Sequence, residues 1–414
     1  MAEPRVRFKQ DDGSSYPDIQ QIPFGDVVKP FVEKTKIENE DVLLSCAING
    51  VFLNTELFGH QRGASNKGYK KIRRNTLILS TQNLHLGNAN VNQRFDHGII
   101  SPAYNTYDIV GCDPDYMAQW VKREATKKFF YDATTTGASQ CRRNVDWNAL
   151  YEQIFYVPCE EEQQKIADFL SSVDEVIDAS EQEVANLETQ KKAVMKKIFS
   201  QEVRFKREDG TDFPEWEEQV FEKTFEPLNN NTFSRAMLNY IAGPALNIHY
   251  GDVLVKYGDV CDIDKDVLPF VNEGQDVAKY AFLKDGDIVL ADTAEDEAVG
   301  KAIEVINTRD RVIISGLHTM ACRPKFAFGP KYLGYYLNSA EFHDQLKPFI
   351  QGIKVSSIGR KNISGVLVKY PSDLEEQRLI ADFLSDFDET IAAAKNELEL
   401  WKQLKKGLLQ QMFV

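Results

Sequence analysis

Residues 161–199, EEQQKIADFLSSVDEVIDASEQEVANLETQKKAVMKKIF, decide the fold because the chain carries a second copy of them. The second copy is 375–413, EEQRLIADFLSDFDETIAAAKNELELWKQLKKGLLQQMF, and equivalent residues lie 214 positions apart without a gap. Over the first 17 residues, 12 are identical. Both copies lack proline and space their apolar residues three and four apart, which predicts two helices of roughly 55–60 Å at about 1.5 Å per residue.

A helix with one apolar stripe has to bury that stripe against a partner, and the obvious partner of each copy is the other copy. The sequence therefore predicts two long antiparallel helices that form a coiled coil. The residues expected to pack this helix pair are Ile166, Phe169, Val173, Leu187, Ile380, Phe383, Phe387 and Trp401.

A shorter repeat frames the variable parts of the chain. VRFKQDDGSSYPDI at 6–19 matches VRFKREDGTDFPEW at 203–216, with an offset of 197 residues. We call these two matching stretches the signatures. Along the chain, a signature, a variable segment and a long helix follow one another, and the same order then recurs. The second signature directly follows the first helix. If the first signature packs in the equivalent position, it lies next to the end of the second helix. The sequence therefore predicts that the two termini are neighbours.

This order predicts an α+β protein with a pseudo-two-fold internal repeat and two globular domains joined by the helices. The variable segments, about 20–157 and 217–371, show no evident similarity to each other. The expected divisions are a first domain at 1–157, a central helix at 158–200, a second domain at 201–372 and a C-terminal helix at 373–414. The two domains are expected at opposite ends of the helix pair.

Composition is that of an ordinary globular protein, with no apolar run near the ~20 residues needed to cross a bilayer. The N-terminus is charged and has no apolar core of a secretory signal. The six cysteines are scattered without a CxxC pair, which favours reduced thiols over disulfides or a zinc site. These features predict a cytoplasmic protein.

The charge is unevenly distributed along the chain. The net charge of −14 argues against a generic nucleic-acid binder, but the acidic excess lies in the helices and the second half. No Asp or Glu occurs from Leu57 to Phe95, a stretch that holds seven Lys and Arg residues. A local basic surface is one interpretation of this stretch, and a solvated basic loop at 59–75 is the other.

A second polar and basic loop supports contact with DNA, because it recurs at one place in both halves. Residues 134–144 follow a predicted helix at 115–133, and 351–361 follow a predicted helix at 332–350. Each loop precedes a short strand, a proline and the EEQ of a long helix. Arg, Lys, Asn, Gln, Ser and Thr contact phosphates and base edges. The candidate DNA-binding residues are Arg62, Asn66, Lys67, Lys70, Lys71, Arg73, Thr136, Ser139, Gln140, Arg142, Ser234, Arg235, Lys354, Ser356, Ser357, Arg360 and Lys361.

Motifs of common enzyme classes are missing from the sequence. There is no GxxxxGK[ST] phosphate loop, no GxGxxG, no NPPY- or DPPY-type tetrad, and no HExxH or paired-histidine metal spacing. We therefore expect no catalytic residue, no metal site and no cofactor bound by this chain. Sequence alone does not exclude a triad assembled by the fold.

The doubled EEQxxIADFL helix and the FKxxDGxx[FY]P signature resemble the specificity subunit of type I restriction–modification enzymes, over the whole chain. ISPAY at 100–104 and DGDIVLAD at 285–292 are also similar to the target-recognition domains of that family. The resemblance implies a non-catalytic subunit that recognises a bipartite, asymmetric DNA sequence, one half-site for each variable domain. It also implies modification subunits, which bind S-adenosylmethionine and methylate adenine, and restriction subunits, which use ATP and Mg²⁺.

Two other classes of function remain open at this point. One is a stand-alone DNA-binding or scaffold protein whose coiled coil holds two unrelated ligand domains. The other is an enzyme fused to a recognition module, against which the missing catalytic motifs speak.

Overall fold

The computed structural model describes residues 4–60, 65–139, 142–295, 298–352 and 355–414, without the side chains of residues 137–139 and 142. Within these ranges, no helix is both long and apolar enough to cross a membrane. Contacts divide the chain into unit 1, Met1–Gln182 with Lys395–Val414, and unit 2, Glu183–Ala394. Each unit therefore contains one variable segment together with part of each long helix.

Unit 1 is built on an antiparallel four-stranded sheet with the strand order β2-β9-β6-β7. Its strands are β1 (Gln20–Pro23), β2 (Val28–Pro30), β3 (Leu44–Ala47), β4 (Gly50–Leu53), β5 (Lys70–Arg73), β6 (Leu77–Ser80), β7 (Ala89–Val91), β8 (His97–Ile100), β9 (Tyr104–Ile109), β10 (Thr134–Ser139), β11 (Arg142–Val145) and β12 (Ile154–Val157). Its helices are α1 (Asn54–Phe58), α2 (Pro114–Trp120), α3 (Glu124–Asp132), α4 (Trp147–Glu152) and the first part of α5 (Glu160–Phe199).

Unit 2 repeats that strand order as β14-β23-β19-β21 and adds β17 at the edge. Its strands are β13 (Trp216–Val220), β14 (Phe225–Pro227), β15 (Leu238–Asn239), β16 (Leu246–Ile248), β17 (Val260–Asp262), β18 (Phe270–Val271), β19 (Ile288–Ala291), β20 (Thr293–Ala294), β21 (Ala302–Ile306), β22 (Ile313–Ser315), β23 (Thr319–Pro324), β24 (Ser356–Ser357) and β25 (Leu367–Pro371). Its helices are α6 (Phe221–Thr224), α7 (Tyr250–Val255), α8 (Tyr332–Leu337), α9 (Ala340–Leu346), α10 (Arg360–Ile363) and most of α11 (Leu374–Gln411).

The two variable segments thus share a sheet that their sequences do not reveal. In each unit the strand after the signature pairs antiparallel with the strand before the long helix, β1 with β12 and β13 with β25. A buried phenylalanine follows each first strand, Phe24 in unit 1 and Phe221 in unit 2. They lie 197 residues apart, the spacing of the signatures. The structural repeat therefore extends beyond the signatures into the recognisably different segments.

The two long helices are as predicted. Helix α5 has Glu160, Glu161 and Glu162 in its first turn and two lysines in its last, which suits the partial positive charge at a helix N-terminus and the negative charge at its C-terminus. In unit 1 the helices run antiparallel, because Asp174 pairs with Lys405 and Glu181 pairs with Lys402. In unit 2, Lys191 of α5 pairs with Asp388 of α11 at 2.5 Å.

Each signature is held on the start of one long helix by the same ion pair. Arg7 lies 2.8 Å from Glu162 in unit 1, and Arg204 lies 2.9 Å from Glu376 in unit 2. Both glutamates are about 1% exposed, and each arginine also donates to the carbonyl of the signature proline, Pro17 or Pro214. A buried carboxylate needs such a partner because an unpaired buried charge is strongly destabilising.

The predicted closeness of the termini is confirmed. The backbone N–H of Val6 donates to the carbonyl of Gln411 at 3.0 Å, and that of Val203 donates to Lys197 at 3.1 Å. The first signature therefore follows helix α11 in unit 1 as the second signature follows helix α5 in unit 2.

The residues predicted to pack the helix pair have more than one partner. Ile166 and Ile380 are buried with the domain cores of their own units. Phe169 and Phe383 instead face the signatures, edge to face with Phe8 at 5.5 Å and Phe205 at 5.7 Å. Val173 is 6% exposed, whereas Leu187, Phe387 and Trp401 are half-buried. The apolar stripe therefore packs against the domain cores and the signatures as well as along the opposite helix.

Several local predictions were wrong. The segment 115–133 forms two helices because the chain turns at Val121–Arg123, where the buried Arg123 side chain donates to the Val414 carbonyl at 2.9 Å. The segment 332–350 breaks at Ser339, whose hydroxyl caps helix α9.

Two predicted loops and one predicted strand pair also differ from the structure. Residues 70–73, expected in a loop, form β5 and pair with β8. In the segment 134–144, expected as a turn, the described residues belong to β10 and β11, which pair antiparallel as a hairpin. The segment 246–260, LNIHYGDVLVKYGDV, reads in the sequence as a pair of strands around a Gly turn. Its middle instead forms helix α7, because the His249 side chain accepts the Gly251 N–H and caps a helical turn.

Candidate nucleic-acid interface

The basic stretch of unit 1 is largely neutralised by carboxylates from elsewhere in the sequence. Lys71 contacts Glu33 and Glu40 at 2.8 and 2.7 Å. Arg73 pairs with Asp108 at 2.7 Å, and Arg74 with Asp96 at 3.0 Å. Arg94 forms a two-point contact with Glu56. In the described part of Leu57–Phe95, the linear run without acidic residues therefore does not make an unbalanced positive surface.

Two candidate DNA-binding residues of this stretch have structural roles instead. Asn66 is 4% exposed, and its amide exchanges hydrogen bonds with Asn39 at 2.7 and 2.8 Å. Lys70 is 8% exposed, and its ammonium donates to the Tyr104 carbonyl and the Asn105 amide oxygen. Burial lowers the pKa of Lys70, with a contribution from Lys34. DNA contact by Asn66 and Lys70 stays an untested prediction, and their burial and internal partners argue against it.

The remaining candidates of unit 1 are accessible or lie outside the described residues. Lys67, Arg73 and Thr136 are exposed. Arg62 and Gln140 lie outside the described residues, and Ser139 and Arg142 have no described side chains. In the β10–β11 hairpin, the guanidinium of Arg143 bonds Thr134 and lies 4.0 Å over the ring of Tyr131, which fixes the base of the hairpin.

In unit 2, candidates more than a hundred residues apart in sequence are brought onto one surface. Strand β24, Ser356–Ser357, pairs with β20, so that Ser357 lies beside Thr293. The Thr293 hydroxyl is 3.5 Å from His318 Nδ1. The His318 ring in turn meets the Tyr250 ring edge to face at 5.3 Å between centroids. This contact series leads to helix α7.

The same surface continues from helix α7 to Arg235. Asp252, near the start of α7, forms an ion pair with Arg235 at 2.7 Å. Arg235 also donates to the hydroxyl of Tyr240 at 2.8 Å, and Ser234 beside it is exposed. We call these segments, 234–241, 249–252, 292–293, 318 and 356–357, the loop surface of unit 2.

Histidine and aromatic side chains give the loop surface its donors and its flat faces. His249 accepts the Gly251 N–H on Nδ1 at 3.1 Å, so its proton lies on Nε2 when the ring is neutral. Burial lowers the pKa of His249, and the nearby Arg235 lowers it further. Neutral histidine and tyrosine hydroxyls can hydrogen-bond base edges, and cations beside them can contact phosphates.

The last candidates lie on a different part of unit 2. Arg360 donates to the carbonyls of Leu228 and Ala321 at 2.9 and 3.4 Å. With Lys361 it lines a mainly apolar cavity of about 350 Å³ beside Phe221 and Met320. The Arg360 side chain therefore contacts the backbone beside the sheet, and both Arg360 and Lys361 are exposed. Lys354 lies outside the described residues.

Sequence reasoning missed Tyr240, Tyr250 and His318 as parts of this surface. His318 has a positive φ of 55°, which is uncommon for a residue other than glycine. No sequence signal distinguished these residues, because their juxtaposition depends on strand pairing between distant segments.

A comparable surface exists in unit 1 at the matching strand ends. The Thr81 N–H and hydroxyl both bond the Ala103 carbonyl, as the Asp292 N–H bonds the His318 carbonyl in unit 2. The next residue, Gln82, is exposed and takes the place of Thr293. The same two loops therefore meet in both units but present different side chains.

Comparison with known proteins agrees with this architecture. Residues 253–400 match the family model for the type I restriction modification DNA specificity domain. Over 222 residues the chain is 27% identical to the putative type I restriction enzyme MjaX specificity subunit of Methanocaldococcus jannaschii, covering 52% of this chain and 49% of that protein. It is 33% identical over 82 residues to the MjaVIII specificity subunit of the same organism, covering 20% and 19%.

The matched regions thus span about half the length of the first curated relative and about a fifth of the second. Among solved structures, the S subunit of a type I restriction–modification system from M. genitalium aligns with a TM-score of 0.52 at 13% identity, over 100% of this chain and 99% of that one.

A chain from a study of complex assembly and conformational transition of the type I R-M system aligns with a TM-score of 0.56 at 16% identity, over 95% and 97%. These structures support the fold, and the sequence matches support the resemblance stated from the repeats. In its repeats, in the matched segment 253–400 and in its fold, the chain is therefore similar to type I restriction–modification DNA specificity subunits.

Proposed function

We propose that this chain is the non-catalytic DNA-specificity subunit of a type I restriction–modification complex. Each unit reads one half of a bipartite, asymmetric DNA target, and the chain directs modification and restriction subunits to it. The observation that carries this proposal is the repeated frame with different loops. Strand order, signature contacts and helix ion pairs recur in both units, whereas the side chains at the matching loop ends differ.

Two unlike readers on one frame suit a target with two unlike half-sites. A symmetric pair of readers would match a palindrome, because operator symmetry mirrors protein symmetry. Gln82 in unit 1 and Thr293 in unit 2 occupy equivalent places and offer different hydrogen-bonding groups to a base edge.

The partners and cofactors follow from the same proposal. S-adenosylmethionine would bind the modification subunits, which methylate adenine, and ATP and Mg²⁺ would bind the restriction subunits. The long helices carry much of the negative charge, with five basic and ten acidic residues at 158–200. Acidic helices are poor ligands of the phosphate backbone but suitable surfaces for a protein partner.

The test is methylation mapping. The chain is expressed with the modification subunit encoded beside it in a host that lacks other adenine methylation, and the host DNA is sequenced by a single-molecule method. A split, asymmetric motif with methyladenine in each half is expected. A variant in which the variable segment 217–371 is replaced by that of another family member serves as the matched control and should change one half-site only.

One outcome of the methylation mapping would count against this function. The absence of a new motif, although the same modification subunit methylates DNA with another specificity subunit, would contradict the proposal and favour a stand-alone DNA-binding or scaffold protein.

A further inference from the structure

The loop surface of unit 2 ends in a turn that exposes an isoleucine. Ile241 follows strand β15 and is 90% exposed, and the preceding Tyr240 is 52% exposed. Single exposed apolar residues are common on proteins and by themselves indicate nothing. The surroundings of this one are unusual, because the turn is held in place and flanked by cations.

The turn is pinned from both sides. The side-chain oxygen of Asn239 accepts the N–H groups of Ile241 and Ala242 at 2.7 and 3.1 Å. Its amide donates to the Ala242 carbonyl and to Asn272. A Cβ at Gly243 would lie 1.8 Å from the Val271 carbonyl oxygen, so only glycine allows this approach. Ile241 is therefore displayed on a prearranged backbone.

Cations and hydrogen-bonding groups stand beside the turn. Arg235 bonds the Tyr240 hydroxyl, and the Lys256 ammonium lies 5.3 Å from the Tyr240 ring centroid. Lys256 donates to the Val267 carbonyl, a contact that leaves its positive charge in place. Asp252 offsets the charge of Arg235, so Lys256 supplies the net positive charge beside this aliphatic tip. A tip with a cation and a tyrosine hydroxyl at its side matches a nucleic acid, whose phosphates surround the bases, better than it matches a wholly apolar protein surface.

We propose that Ile241 makes an apolar contact with the 5-methyl group of a thymine in the half-site read by unit 2. That methyl group is the part of a base edge in the major groove that an aliphatic side chain can recognise. The prearranged turn lowers the cost of ordering the contact on binding. This inference rests on the proposed function and names one element of its specificity.

The test uses the assembled complex of this chain with its modification subunit. Methylation rates are measured on duplexes that carry the mapped target, with each thymine of the half-site replaced in turn by deoxyuridine, which lacks only the methyl group. With the unaltered chain, one replacement should slow methylation about fivefold, as expected for loss of one apolar base contact. Ile241→Ala should slow methylation of the thymine duplex by the same factor.

The combination is the decisive measurement. Ile241→Ala should be insensitive to that one deoxyuridine, because the contact is already absent, so the two changes should not multiply. Val255→Ala, at a residue 86% exposed on helix α7, is the matched control and should leave both rates unchanged. Copurification of the modification subunit with Ile241→Ala should equal that of the unaltered chain.

Other outcomes would overturn the inference. These are deoxyuridine and Ile241→Ala effects that multiply, an equal loss with Val255→Ala, or weaker copurification with an unchanged motif, which would indicate a protein contact instead. If the unaltered complex methylates no motif, the proposed function itself fails. If it methylates a split motif and Ile241→Ala changes nothing, only the thymine contact fails.

Discussion

Glu304 is a buried carboxyl group whose titration should set a measurable pH dependence in unit 2. It is 2% exposed and accepts the N–H groups of Lys331 and Gly334, at the start of helix α8, at 2.6 and 3.0 Å. Burial raises the pKa of Glu304 to about 7, although these N–H groups act in the opposite direction.

The magnitude follows from that pKa. A glutamate in the unfolded chain titrates near 4.3, and each pKa unit corresponds to about 1.4 kcal/mol. A raised pKa means that the folded protein holds the proton more tightly, so stability is greatest below pH about 4.3 and falls as pH rises to about 7. The loss over that range is about 3–4 kcal/mol. Glu304→Gln, whose side chain stays neutral, should remove this dependence, so the stability of the variant relative to the parent should rise from pH about 4.3 to about 7.

The measurement is native-state hydrogen exchange of the helix α8 amides between pH 5 and 8, corrected for the intrinsic exchange rate. The parent should show an opening free energy that declines towards pH 7, and Glu304→Gln should show a flatter profile. Glu218→Gln, at an exposed position of β13, should retain the parent profile. A Glu304→Gln variant with the full parent slope would refute the assignment of that slope to Glu304.

The repeated frame and the division of labour between units give three more predictions. Arg7→Ala and Arg204→Ala each leave a buried glutamate unpaired, so each should lower the unfolding free energy of its own unit by about 3–5 kcal/mol, measured by urea denaturation. A loss below about 1 kcal/mol in both would contradict the burial argument, and clearly unequal losses would contradict the equivalence of the two pairs. Adding one heptad to both α5 and α11 should change the number of unread base pairs between the half-sites but not the bases that are read. Methylation mapping measures both, and altered half-sites would show that helix length and base recognition are not independent. The isolated chain should bind its target weakly and the complex should bind it tightly, because the chain is acidic and phosphate contacts dominate affinity. Fluorescence anisotropy at fixed salt measures both affinities, and nanomolar specific binding by the isolated chain would disprove the prediction.

The long helices and the closeness of the termini could be predicted from the sequence because they rest on local periodicity and on repetition. A stripe of apolar residues over 38 or more positions has few alternative structures. The signature repeat placed Val6 by analogy with Val203, and the hydrogen bond to Gln411 bears that analogy out. Information of this kind is carried in the order of residues itself.

The charged surface could not be predicted, because charge balance is a property of three dimensions. The absence of acidic residues from Leu57 to Phe95 says nothing about Glu33, Glu40 or Asp108, which the fold brings to Lys71 and Arg73. The same limit explains why Lys70 was expected at a surface. Strand β5 turns it inward, and nothing in KKIRR marks which lysine faces the core.

The ion pairs of the long helices show how a frame can stay constant while its loops vary. Asp174 bonds Gln119 of unit 1 at 3.0 Å and pairs with Lys405. Asp388 bonds the Tyr335 hydroxyl of unit 2 at 2.8 Å and pairs with Lys191. Burial opposes ionisation of Asp174, but its bonds to Lys405 and Gln119 lower its pKa.

These clusters link helices α5 and α11 to α2 in unit 1 and to α8 in unit 2, at residues distinct from those of the hairpin β10–β11 and the loop surface of unit 2. A substitution at Ser357 or Thr136 changes an exposed side chain without removing one of these frame contacts. A substitution at Asp174 removes the ion-pair partner of the buried Lys405, and one at Asp388 removes one of the two carboxylates that hold Lys191, whose other partner is Asp259. Specificity can therefore change through the loops at little cost in stability, whereas the frame tolerates little change because its charges are buried in matched sets.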